Sequence, residues 1–68
     1  MTKAELENIY NVINKRIENE KRLAYNYCVI NPDDRKRRNR IRDNICNGLF
    51  DAWEAIRAEY SDIWENGK

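Results

Sequence analysis

The chain has 68 residues, of which 37% are charged and 41% hydrophobic, with a formal net charge of +1. At this length it holds one domain, residues 1–68, whose hydrophobic gain roughly cancels its chain entropy, so a staple or a partner chain is expected to help it fold. It is too apolar for a disordered segment, and it has no run of about 18 apolar residues of the kind a membrane-spanning helix needs.

The residue inventory excludes most site chemistry. There is no histidine, and the two cysteines, Cys28 and Cys46, match no zinc-ligand spacing. A Cys-His or Ser-His-Asp constellation cannot be assembled. The only glycines are Gly48 and Gly67, so no phosphate-cradling loop exists. The chain therefore reads as a non-enzyme with no metal, cofactor or small-molecule substrate. The first eight residues carry no apolar signal-peptide core, which makes the cytoplasm the expected compartment. A composition rich in Asn, Ile, Glu, Lys and Tyr suits an AT-rich genome, such as that of a bacterium or its phage.

Taken in chain order, Thr2-Lys3-Ala4-Glu5 fits a capping box, with Thr2 as N-cap and Glu5 reaching back. Apolar residues then recur at intervals of three and four from Leu6 through Ile9, Tyr10, Ile13 and Ile17 to Ala24, Tyr27 and Cys28. This spacing predicts a helix over about residues 3–29. Asn31-Pro32-Asp33-Asp34 predicts a turn at about 30–32 and a new start, with Asn31 as N-cap and Pro32 in the first helical position. A second helix follows over about 33–65, leaving a frayed tail at 66–68. Asn47-Gly48 is a turn signal that would break this helix and leave a third one beginning near Asp51. The stripe staying in phase across Gly48 favours continuity. So short a link makes the two helices an antiparallel hairpin. In that register Cys46 faces the region of Arg16 and Cys28 the region of Asp34, so the thiols are too far apart for a disulfide and stay free.

The second helix carries two apolar stripes. One is Ile41, Ile45, Gly48, Leu49, Ala52, Ile56 and Ile63, in which Leu49, Ile56 and Ile63 are spaced by sevens. The other is Cys46, Phe50, Trp53, Tyr60 and Trp64, and it holds four of the seven aromatic residues. Together they are wider than one antiparallel neighbour covers. Either both fill one core, or one closes the hairpin and the other meets another chain. Periodicity does not say which stripe faces inward. Phe50, Trp53, Tyr60 and Trp64 are the candidate protein interface, because Trp and Tyr are enriched at binding hot spots.

Charge is distributed unevenly. Residues 1–34 carry five basic and six acidic side chains, residues 35–42 carry six basic and none acidic, and residues 43–68 carry two basic and six acidic. Arg35, Lys36, Arg37, Arg38, Arg40 and Arg42 occupy the first turns of the second helix, where cations oppose the helix dipole. One account is a solvated face with Asp33–Arg37 and Asp34–Arg38 pairs, and with Glu18 or Glu20 reaching Arg42 or Arg38. The other is an anion-binding patch for phosphate or for an acidic protein surface, which an arginine-dominated set suits. The run from Arg35 to Ile41, followed by Cys46, resembles the basic region of leucine-zipper transcription factors over about a dozen residues. Asn39 and Cys46 fall at that motif's Asn and Ser/Cys positions. Arg42 and Asp43 replace its two alanines, Asn47 replaces its final arginine, and no long zipper follows, so no base-reading role carries over. A helix-turn-helix docking mode is excluded by the acids of residues 51–65, which phosphates would repel.

The chain thus reads as all-α, a helical hairpin paired into a four-helix bundle or docked on a partner. The expected function is a regulator or inhibitor that binds a protein target through the aromatic stripe and the arginine-rich tip, with a homodimer as an expected state. The alternative is a small nucleic-acid-binding protein using residues 35–42 on phosphates.

Overall fold

A computed structural model describes residues 1–66, and among these the fold is all-α with no strand. α1 spans Lys3–Ile30, a single 3₁₀ turn spans Pro32–Asp34, α2 spans Arg35–Glu59, and α3 is a short helix over Ser61–Asn66. The helices form a rod of 48 × 16 × 13 Å. No helix among the described residues is long and apolar enough to cross a membrane.

α1 begins with the capping box. The Glu5 amide donates to Thr2 Oγ1 at 3.2 Å and the Thr2 amide donates to Glu5 Oε1 at 3.0 Å, which occupies two otherwise orphaned donors. The Thr2 backbone N–H first, then the Thr2 side chain, also hold the Glu5 carboxyl below its usual range. The far end departs from expectation. Asn31 makes no side-chain cap on the following turn. Its amide nitrogens serve α1 instead: both the backbone N–H and Nδ2 donate to the Tyr27 carbonyl, at 2.8 and 3.2 Å. The physical reason is that Tyr27 offers one of the orphan carbonyls of a helix C-terminus within reach of Asn31.

α2 returns along α1, as the order of cross-contacts shows. Glu20 meets Arg38, Ile17 meets Cys46, Tyr10 meets Trp53, and Lys3 meets Trp64. Cys46 therefore sits beside Ile17, Cys28 beside Asn39, and both cysteines are free. The helix runs unbroken through Asn47-Gly48.

It does not run to residue 65. It ends at Glu59, and Tyr60 (φ −117°, ψ 35°) joins it to α3. The Tyr60 N–H still bonds the Ile56 carbonyl, while its own carbonyl accepts from Ile63 and Trp64. Ser61 and Asp62 start the new turn, where short polar and acidic side chains are favoured. The bend lets Trp64 fold onto its neighbours: its ring lies 5.0 Å from Trp53, edge to face, and 6.0 Å from Tyr10. Tyr10 and Trp53 are 5.2 Å apart. Lys3 caps this cluster, with its ammonium 4.6 Å from the Trp64 ring and donating to the Trp64 carbonyl. Asn66 belongs to α3, and the rest of the expected tail, 67–68, lies outside the described residues.

The seam takes alternate members of both sequence stripes. Facing α1 are Cys46, Leu49, Trp53, Ile56, Tyr60 and Ile63, spaced three and four apart as in a coiled coil. Only Leu6, Ala24 and Trp53 are buried among the described residues. Trp53 therefore belongs to the chain's own core, and Tyr60 and Trp64 are half-buried beside it. Phe50 alone of the four stays exposed. The rings turn inward because they bury the largest area and meet Tyr10 at favourable aromatic distances. Ile41, Ile45, Gly48 and Ala52 are left outside.

Replacing Trp53 with Ala should cost about 3–5 kcal/mol. That is comparable with the whole stability of a chain this size, about 3–10 kcal/mol. Phe50→Ala should cost about 1 kcal/mol or less. Denaturant titrations followed by far-UV circular dichroism check both.

Candidate functional site

The six cations of the turn end divide into two sets. Arg37, Arg38 and Arg42 are ion-paired. Arg37 Nε donates to Asp34 Oδ1 at 2.7 Å, Arg38 meets Glu20 across the seam at 2.7 Å, and Arg42 donates twice to Asp43 Oδ1 at 3.0 and 2.8 Å. The expected Glu20–Arg38 contact is present. The expected i,i+4 partners, Asp33 for Arg37 and Asp34 for Arg38, are replaced by Asp34 at i,i+3 from Arg37. The 3₁₀ turn causes this change, because it places Asp34 just before the first turn of α2, below Arg37.

Arg35, Lys36 and Arg40 form the other set. They are exposed, and none has an acid within ion-pair distance among the described residues. Lys36 and Arg40 are four residues apart on one face of α2. Arg35 reaches a groove of about 410 Å³ between the end of α1 and the start of α2, whose walls include Tyr25, Cys28, Val29, Pro32 and Asn39. Tyr25 is 70% and Val29 64% exposed, so the groove has an apolar wall beside a cationic rim. Sequence reasoning missed these two residues, since they lie off the main periodic face. Asn39, which carried the likeness to a basic region, is half-buried and accepts from the Cys28 thiol at 3.7 Å.

Asp34 organises the turn. It accepts from Arg37 and from the Tyr27 hydroxyl, the latter at 2.7 Å. Arg37 first, then Tyr27, hold its carboxyl down to about 2. The same contact raises the Tyr27 phenol above its ordinary value, and Arg37 is raised by Asp34. The Glu20–Arg38 pair is close but poorly aligned, and neither Glu20 Oε1 nor Arg38 Nη1 completes a hydrogen bond.

Among the described residues no group of three or more His, Cys, Asp or Glu side chains is placed to hold a metal. No family model matches the chain, and neither a curated protein nor a solved structure matches it.

A carboxyl lowered in the folded state contributes stability above its unfolded value, and that stability is lost as pH falls toward the folded value. Acid titration should therefore loosen the turn between about pH 4, the ordinary carboxylate value, and about 2. In Asp34→Asn this part of the acid limb should flatten, as read by amide exchange or chemical shifts at residues 27–37.

Proposed function

We propose that the chain is a non-catalytic protein-interaction module, a helical hairpin that docks an acidic segment of a partner protein at its turn end. The observation that supports this reading is the set of three exposed cations with no acidic mate among the described residues, Arg35, Lys36 and Arg40, of which Arg35 lines the groove walled by Tyr25 and Val29. Guanidinium groups give paired contacts to carboxylates, and the groove accepts an apolar side chain next to them. A module of this kind acts as a regulator or inhibitor by occupying the partner's surface. Its two-helix unit leaves apolar surface for another chain to cover, in a four-helix bundle or on the partner itself.

Nucleic-acid binding is the second reading, favoured by the same cations spanning successive turns of α2. It is weaker because Asp33, Asp34 and Asp43 flank them on both sides. A continuous phosphate backbone running past the cations meets repulsion there, whereas a short acidic segment can end between them.

The test uses fluorescein-labelled peptides that alternate Glu with Leu or Phe, alongside mixed-sequence DNA and RNA 25-mers, read by anisotropy across a salt series. Peptide binding should weaken at least tenfold, about 1.4 kcal/mol, in Lys36→Glu/Arg40→Glu. Unchanged affinity in that variant removes the turn end as the site. Tight oligonucleotide binding with a steep salt slope moves the assignment to phosphate.

A further inference from the structure

We propose that a second copy of this chain covers the flank formed by Val12 and Leu23 of α1 and Ile41, Ile45, Gly48 and Ala52 of α2, with the two rods antiparallel. This names the chain that covers the flank and does not involve the turn-end groove, so either proposal can fail alone.

The flank runs along one side of the rod, with Arg16 and Asn19 standing between Val12 and Leu23 on α1. Glu20 and Arg38 meet across the seam, and three residues on from each, Leu23 and Ile41 stand beyond them on the same side of the rod. Ile45 and Ala52 continue the row along α2, and Val12 stands on the Leu23 side of α1. Val12 is 62% exposed, Leu23 48%, Ile45 43% and Ile41 37%. Phe50, Tyr10 and the Cys28–Asn39 contact lie on the opposite side, with the groove.

Gly48 is informative. A Cβ built there meets nothing within 4 Å, so no contact inside the chain requires a glycine. Glycine in the middle of a helix is costly unless something approaches its backbone closely. With Ala52 one turn on, the row runs from two isoleucines to two small residues, a recess into which a second helix can pack.

Area permits a copy as the occupant. The chain exposes 5261 Å². A folded monomer of 8.2 kDa is expected to expose about 4500 Å². The excess, about 700 Å², approaches the roughly 800 Å² that each partner contributes to a standard interface. Charge selects the orientation. Residues 18–46, the half of the rod with the turn, carry eight basic and five acidic side chains, net +3. The remaining residues carry five basic and seven acidic, net −2. Antiparallel packing lays each positive half over a negative one, whereas parallel packing opposes like charge.

Sedimentation equilibrium on the full chain, across a concentration series, tests this. The expected mass is twice 8.2 kDa, with a dissociation constant that rises as NaCl goes from about 50 to about 500 mM. Ile41→Glu/Ile45→Glu should raise that constant at least ~100-fold. Gly48→Gln, whose Cβ has nothing of its own chain within 4 Å, should keep or increase helicity by circular dichroism while weakening pairing about tenfold or more. It decides the matter if the double variant fails to fold. A monomer up to about 1 mM overturns the proposal, as does pairing that Gly48→Gln leaves unchanged. Pairing that tightens with salt overturns the antiparallel arrangement. A monomeric outcome leaves peptide binding at the turn end standing, since the anisotropy titration reads it separately.

Discussion

Everything in this molecule depends on one narrow seam between two helices. A pair of helices has a single mutual contact line, and each residue's burial depends on its angle to it. Side chains centred on the line, such as Leu6, Ala24 and Trp53, lose nearly all solvent contact. Those a step to either side are half-buried or exposed. The seam is anchored unequally. At the open end three aromatic rings and Lys3 lock α1, α2 and α3 together. Toward the turn, apolar layers give way to Glu20–Arg38 and to the Tyr27–Asp34–Arg37 contacts. Hydrophobic burial stabilises one end, and polar geometry sets the angle of the other.

That division explains the charge pattern. Cations at the start of α2 are unfavourable to its dipole, yet Arg37, Arg38 and Arg42 each recover an acid within the chain. Among the described residues Arg35, Lys36 and Arg40 have no such acid. In a chain with so little stability to spare, such residues are most simply understood through what they contact outside it.

Much of this architecture was legible from residue order. The capping box at Thr2 and Glu5, the interruption at Pro32, the continuity through Gly48, and the register that puts Cys46 beside Ile17 all follow from local chemistry and spacing. Which α2 face turns inward did not follow. Stripes spaced by sevens are two overlapping readings of the same three-four alternation, and only the size of the rings opposite Tyr10 separates them. The break at Tyr60 has no glycine or proline to announce it. It is a tertiary effect, bought by the packing of Trp64. At the candidate site the cations were legible, and so was the Glu20–Arg38 contact. The exposed apolar wall of Tyr25 and Val29 was not, because it exists only where two chain segments meet.

Both tryptophans sit in one cluster at the open end, edge to face at 5.0 Å. Their coupled transitions give the near-ultraviolet dichroism of this protein a tryptophan signature tied to that end. Emission from the same pair registers fraying of α3 and departure of Lys3 from the ring. It is silent to events at the turn, the far end of a 48 Å rod. The tryptophan signal is thus a gauge of one terminus, and a ligand arriving at the other is seen only through Tyr25 and Tyr27 or a label of its own.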